Sequence, residues 1–284
     1  MSWITLAIIS AITGSLTSVL QKVLLRDEQS DAIAFSFIFQ TMVGIMFLTY
    51  TIATKTFELP NLSSVSLNLV LMTFLYSLGS IFTFNAFKTA EASEVAILFT
   101  SSTVWSVLAA VIFLNEKILI YNIFGITLII LGVIIVNHKK SSWKVNKGHY
   151  FALAGAMLFG LAFTNDAYII NYYNSISSYM IIAFGFPGIA SLLYKPKAIN
   201  KVKHFLSLKT LIKLTITGAL YAISAITIFS AYKNGGQASL IAPIQKTSII
   251  LTVFIGYLFL NERKNIFKKI VGVSFVFSGA LLLI

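Results

Sequence analysis

Apolar residues run along this chain in long stretches, broken by short clusters of Lys, Asn, Gly and Glu. A helix needs roughly 20 largely apolar residues to cross a hydrocarbon core, and these stretches have that length. They predict ten transmembrane helices, over about 3–25, 31–54, 65–87, 94–114, 118–137, 149–172, 176–194, 209–232, 237–260 and 265–284. The alternation of a barrel strand is absent, and a segment in lipid that must satisfy its own backbone does so as a helix. The first stretch has no basic residue before Trp3 and outruns the apolar core of a signal peptide, so it is expected to stay in the mature protein. The expected fold class is an all-α polytopic membrane protein.

The pattern also repeats. Ala96 to Lys117 reads AILFTSSTVWSVLAAVIFLNEK, and Ala242 to Arg263 reads APIQKTSIILTVFIGYLFLNER. At an offset of 146, Ala96, Ser102, Phe113, Leu114, Asn115 and Glu116 match Ala242, Ser248, Phe259, Leu260, Asn261 and Glu262. Ala86 and Lys88 match Ala231 and Lys233 at 145, and Gly125 and Gly132 match Gly272 and Gly279 at 147, a drift that one-residue slips in turns explain. The duplication divides the chain into residues 1–140 and 141–284, with five helices each. An odd number of spans turns the second copy upside down, giving two inverted five-helix repeats. Halves related in this way can exchange conformations and expose a midplane site to each side in turn, the working principle of secondary transporters.

Composition narrows the class further. The chain is 57% hydrophobic and 11% charged, against about 25% charged in soluble proteins, which excludes a soluble globular domain. With no Cys there is no disulfide framework, thiolate metal site or thiol nucleophile, and His138, His149 and His204 share no metal-ligand spacing, so neither cofactor nor metal is expected. A net charge of +12 could suggest nucleic acid, but the charges are sorted by face. Loops after odd-numbered spans hold 17 basic residues, from Lys22 and Arg26 to Lys268 and Lys269, whereas the opposite face has Lys55, Lys117 and Lys233. The positive-inside rule puts the basic loops in the cytoplasm and both termini outside, with anionic headgroups of that leaflet as a further fit. The lysine loops at 139–147 and 195–213 lack the interleaved aromatics of a single-strand platform. The expected partners are therefore a lipid bilayer and a small organic solute, and no nucleic acid.

The five-plus-five repeat, Glu91-Ala92-Ser93, the LNEK and LNER ends of the fourth and ninth spans, and the APIQKTS segment at 242–248 together resemble the EamA family of the drug/metabolite transporter superfamily. The resemblance covers essentially the whole chain. It implies a metabolite or drug carrier, often an exporter, and the reading that follows is a secondary transporter with a proton or exchanged counter-solute as the driving species. A lipid-linked carrier or flippase is compatible with the same resemblance. Many members carry their basic residues so as to place both termini in the cytoplasm, and this sequence has the reverse bias.

The candidate site residues are the polar groups at membrane depth. Lys246 lies about ten residues into the ninth span, among Pro243, Gln245, Thr247 and Ser248. A charge there costs at least about 2.5–3.5 kcal/mol on insertion scales, so it is expected to face a cavity or a partner. Asp166, beside Asn165 in the sixth span, is the other buried charge, and an Asp166–Lys246 pair that opens to substrate or proton is one arrangement; a permanent salt bridge is the other. Pro243 would free a backbone carbonyl, and Pro187 within Phe184-Gly185-Phe186-Pro187-Gly188 would interrupt the seventh span as a hinge or lining segment. Gln21 is the repeat counterpart of Asp166, at the cytoplasmic end of the first span, with Lys22 beside it as a snorkelling anchor. Thr100, Ser101, Ser102 and Thr103 correspond to Lys246–Ile249 and line a pocket or bond back to their own helix. Trp105, Tyr76, Tyr168 and Tyr221 offer stacking faces or simple packing, while Glu116, Glu262 and Glu94 are read as helix caps. No GxSxG, HExxH or GxxxxGK[ST] segment occurs, so an intramembrane enzyme and direct ATP drive are disfavoured, and a non-transporting scaffold is the remaining alternative.

Overall fold

The structure is a computed structural model. It describes residues 2–59, 62–114, 120–137, 146–170, 172, 175–234 and 238–282, with the side chains at 62, 63, 110, 114, 137, 167, 170, 229, 232, 233, 238–243 and 246 left outside the description. Among the described residues there are helices and no strands. They are α1 (Trp3–Leu25), α2 (Ala32–Ala53), α3 (Leu62–Thr89), α4 (Ala92–Phe99), α5 (Ser102–Leu114), α6 (Ile120–Asn137), α7 (Lys147–Ile170), α8 (Ile176–Tyr194), α9 (Leu208–Lys233), α10 (Ala238–Phe259) and α11 (Ile266–Leu282), with a 3-10 helix at Pro196–Leu206. Among the described residues, six stretches are long and apolar enough to cross a membrane: Trp3–Leu25, Ala32–Ala53, Ser64–Thr89, Ala92–Phe113, Ile176–Tyr194 and Leu208–Ile228. The chain is a multi-pass membrane protein.

Apolar side chains face outward as well as inward, unlike those of a water-soluble bundle. On α1, Ile4, Ile8 and Ile12 are exposed at a four-residue spacing, while Ser10, Thr13, Ser15, Thr17 and Gln21 are buried. Leu67, Leu193 and Phe259 are 79%, 80% and 77% exposed, as suits side chains against lipid tails. Many interior hydroxyls bond back to their own helix, as Thr13 Oγ1 does to the Ile9 carbonyl and Thr17 Oγ1 to the Thr13 carbonyl.

The fourth span departs from the expected single helix. Thr100 Oγ1 donates to the Ala96 carbonyl and Ser101 Oγ to the Leu98 carbonyl, and the N–H groups of Thr100 and Ser101 bond three residues back, to Ile97 and Leu98. The chain tightens there, and α4 gives way to α5. The seventh span departs the other way: α8 runs through Pro187 without a break. Its glycines serve packing against α2, where a Cβ on Gly44 would stand 3.1 Å from Gly185 Cα and one on Gly188 2.8 Å from Thr41 N.

Helix contacts come in exchanged pairs. α3 packs on α7 and α1 on α9; α4 and α5 pack on α7 and α10 on α1; α3 meets α8 and α9 meets α2. Each second pair is the first with the helices of one half replaced by those of the other. The positions obey the same exchange. Ser10 and Ser224 bond reciprocally between α1 and α9, Ser10 Oγ to the Ser224 carbonyl at 2.7 Å and Ser224 Oγ to the Ser10 carbonyl at 2.9 Å. Adding 145 to Ser10 and subtracting it from Ser224 gives Gly155 and Gly79, which meet between α7 and α3. In α6 and α11, which run antiparallel, a Cβ on Gly132 would meet the Gly272 carbonyl at 2.8 Å, and one on Gly279 the Gly125 carbonyl at 2.6 Å. Helices that approach this closely need glycine on both sides.

The loops gather at two ends. Lys88 donates to the Glu28 and Ser30 carbonyls, Asn146 to the Thr89 carbonyl, Lys195 and Lys201 lie against Asp31, and Glu262 contacts Ala92. The α1–α2, α3–α4, α6–α7, α8–α9 and α10–α11 connections thus share one end, the one carrying the lysine clusters. At the other end Glu58 accepts from Ser175 N–H and donates its own N–H to Ser178 Oγ, tying the α2–α3 and α7–α8 connections together. Asp31 caps α2 by accepting from the Ile33 and Ala34 N–H groups. Burial alone would push its carboxyl up, but those two bonds and the Lys195 and Lys201 charges outweigh it and hold the carboxyl below its usual value.

Candidate functional site

α7 is the wedge of the molecule. Gly148 and Gly155 let it lie against α3, where an added Cβ would meet Ala90 N at 3.0 Å or Thr83 Oγ1 at 2.6 Å, and Gly160 lets it meet α5 at Trp105 and Ser102. That placement carries Asp166, in the last two turns of α7, into the space enclosed by α1, α3, α8, α9 and α10. One carboxylate oxygen accepts from the Tyr76 hydroxyl of α3 and the other from the Tyr179 hydroxyl of α8. An aspartate held by two phenols keeps a fixed orientation and still has an acceptor position free on each oxygen.

The space is a cavity of about 330 Å³, to which Ser10, Tyr76, Asp166, Tyr179, Tyr221 and Gln245 contribute polar groups. It adjoins a second, of about 180 Å³, that reaches Gln21 and Gln40, takes in the hydroxyls of Ser18, Ser80 and Thr83, and has Phe39, Phe84, Phe99 and Phe159 in its wall. Tyr76, Phe163, Phe184 and Tyr221 line both. Tyr76 and Tyr221 are repeat counterparts at an offset of 145, and so are Phe39 and Phe184. Gln21 and Asp166, related by the same offset, each line one of the two cavities. The paired space therefore sits where the two halves of the chain face each other, lined from both.

The remaining sequence candidates divide. Gln245 lines the Asp166 cavity and donates to the Ala7 carbonyl at 3.3 Å. Lys246 and Pro243 follow the course of α10, but their side chains lie outside the described residues. Asn165 turns away from Asp166. It exchanges hydrogen bonds with Asn68 on α3, 2.7 Å between side chains and 2.9 Å to the Asn68 carbonyl, and lines a separate cavity with Tyr168. Thr247 bonds back to the Ile244 carbonyl, and Ser248 is half-buried on the same helix. Thr100 and Ser101 spend their hydroxyls on their own helix, as described above, while their neighbours Ala96 and Phe99 face the cavity. Trp105 packs over Gly160.

Three readings of charged residues change. Lys22 is half-buried and caps the C-terminal end of α3, with Nζ donating to the Phe87 and Ala90 carbonyls at 2.6 and 2.5 Å, rather than reaching for headgroups. Glu262 caps a helix, but not the one that follows it. Its Oε1 accepts from Ala92 N–H at 2.7 Å and its Oε2 from Ser93 N–H at 3.0 Å and from the Ser93 hydroxyl, so the second half caps α4 of the first. Lys269, counted among the 17 basic loop residues, is 1% exposed and bridges Glu91 and the Glu262 carbonyl. Glu94 does cap α4 and also meets His149 at 3.0 Å, a buried partner that lysine-rich surroundings had disguised. Glu116 lies outside the described residues. Tyr179, Phe39, Phe84, Phe99, Phe159 and Phe163 went unnoticed in the sequence, although the Tyr76–Tyr221 match at 145 would have pointed to the wall they form with Phe184.

Comparison with known proteins agrees with this architecture. A curated protein from Sinorhizobium sp., described as an uncharacterized transporter in the cobO 3' region, is 37% identical over 75 residues, which is 26% of this chain. The match spans 52% of that relative's length. A solved crystal structure superposes with a TM-score of 0.63 over 99% of this chain and 94% of the other at 12% identity, a likeness of fold alone. The model of the EamA-like transporter family matches twice, over residues 1–138 and 146–284. Each match takes in one of the halves that the contact pattern exchanges, and the chain belongs to the EamA-like transporter family.

Proposed function

We propose that the chain is a ten-span secondary transporter, built as two inverted five-helix repeats over residues 1–140 and 141–284, that exports a small organic solute by alternating access. The observation that carries the reading is the pair of adjoining cavities at the interface of the halves, with Tyr76/Tyr221 and Phe39/Phe184 supplied symmetrically. A site on the exchange axis can be presented to either side when the halves trade conformations. Asp166 and Gln245 provide polar contacts for the solute, with Gln21 at the far compartment, Lys246 as the neighbouring charge of α10, and a proton or counter-solute as the driving species. The Glu262 cap on α4 joins the two halves at the basic end, which we place in the cytoplasm.

An untargeted comparison of solutes in medium and cytoplasm tests this, using cells that carry wild type or matched amounts of Asp166→Asn or Lys246→Gln protein. A solute that wild type depletes from the cytoplasm and the variants retain is the expected result. Identical distributions in cells with and without the chain would overturn it.

A further inference from the structure

We infer that the central cavity takes an organic cation, an amine or quaternary ammonium on an apolar frame, with its charge on the Asp166 carboxylate and its substituents against the surrounding rings. This rests on the transport reading in treating the cavity as the solute's. Asp166 is singular among its kind: of the eight acidic residues the structure describes, the other seven lie in loops, at helix caps or in a first turn. A carboxylate carried that far into a membrane helix needs a partner of opposite charge to be ionised cheaply. Among the described residues that line the two cavities there is no Lys, Arg or His. Tyr76 and Tyr179 orient the carboxylate without neutralising it, and they leave only acceptor positions facing the space. Against this described lining, with the Lys246 side chain outside the description, an anion would meet like charge and a neutral solute would leave the carboxylate uncompensated.

The walls suit the same class. Tyr76 meets Phe159 at 5.3 Å and 70°, Phe184 meets Tyr221 at 5.3 Å and 84°, and Phe39 meets Tyr221 at 5.8 Å and 79°. Edge-to-face contacts of this kind turn successive ring faces in different directions around a common space. Ring faces attract cations, and quaternary ammonium groups are recognised by such cages because they offer no hydrogen-bond donor and a diffuse charge. The compartment volumes of about 330 and 180 Å³ fit a small ligand that lodges its ammonium beside Asp166 and extends its frame past Tyr76 and Tyr221.

The test is calorimetric titration of the purified full chain in lipid nanodiscs, against empty nanodiscs, with benzyltrimethylammonium, phenylacetate and uncharged 2-phenylethanol. The cation should bind about tenfold more tightly than either other probe, and Asp166→Asn should remove that advantage. If the Asn variant fails to fold, the ranking of the three probes on wild type decides the matter alone. Binding of phenylacetate or 2-phenylethanol as tight as the cation's, binding of none of them, or an unchanged cation affinity in Asp166→Asn overturns the proposal. A phenylacetate preference that disappears in Lys246→Gln overturns it in favour of an anion site at Lys246. Binding is read without a gradient, so the two readings fail separately. A cation-selective cavity in a chain that moves no solute would sink transport, and a solute flux with no cation preference would sink only this inference.

Discussion

Tyr76 and Tyr179 reach Asp166 from different helices, and each supplies one hydroxyl to one oxygen of a buried carboxylate. Hydrogen bonds to charged groups contribute about 1.5–3 kcal/mol each, more than neutral ones, because the charge has no water to fall back on. Replacing Tyr76 or Tyr179 by Phe keeps the ring and its packing and removes only the donor. Each single variant is therefore expected to lower the thermal midpoint of the purified chain, and the double variant to lower it further than either. Midpoints that stay at the wild-type value in all three would mean that the phenols contribute nothing to holding the carboxylate. The sequence made half of this site legible. An acid at position 166, inside an apolar run, is conspicuous by cost alone. Its partners lie 90 residues before it and 13 after it, in runs where a tyrosine is an ordinary apolar residue, and only the fold brings them together. Asn165 misled for the complementary reason, since adjacency along a helix separates two side chains by about 100° of rotation and sends them to different cavities.

Among the elements, the antiparallel pair α6 and α11 shows how far a repeat can be read. Gly125, Gly132, Gly272 and Gly279 stood out in the sequence as two matched pairs, without any indication that they touch. In the structure they meet crosswise, Gly132 with Gly272 and Gly279 with Gly125, as counterparts related by a two-fold exchange do. A side chain at Gly279 would have its Cβ 2.6 Å from the Gly125 carbonyl, a backbone atom that can yield only if the helices part. Overpacking of a close contact typically costs about 1–3 kcal/mol, and a leucine here also drives the rest of its side chain into Ile129, already 2.9 Å from that Cβ. Gly279→Leu should lower the thermal midpoint of the purified chain, whereas Leu282→Ala, at an exposed position of the same helix, should leave it nearly unchanged. Equal midpoints for Gly279→Leu and wild type would mean that α6 and α11 do not pack as described. Helix limits followed from apolar periodicity to within a few residues. The break after Phe99 did not, because a run of Thr and Ser is as compatible with a continuous helix as with a tightened one, and only the back-bonding of Thr100 and Ser101 decides it.

For the whole molecule, the sorting of charge along the sequence becomes a sorting in space. The five connections after odd-numbered spans meet at one end through contacts such as Lys88 to Ser30, Asp31 to Lys195 and Glu262 to Ala92, while the Glu58 tie marks the other end. That grouping is independent of any rule about membranes. It leaves one binary question, which of the two ends faces the cytoplasm, and the positive-inside rule answers with the lysine-rich one. The absence of cysteine from all 284 residues makes the answer directly measurable, since any thiol introduced is the sole target of a maleimide. Lys55, exposed at the Glu58 end, and Lys197, exposed on the 3-10 helix of the basic end, are suitable positions. In intact cells a membrane-impermeant maleimide should label Lys55→Cys and spare Lys197→Cys, and permeabilisation should make both reactive. The reverse pattern would put the termini inside, as in many members of the family, and would mean that some feature other than the 17 basic loop residues orients this chain. Labelling of both in intact cells would be the most consequential outcome, because a chain inserted in two orientations presents its Asp166 cavity to both sides without moving, and alternating access would have to be argued from flux alone.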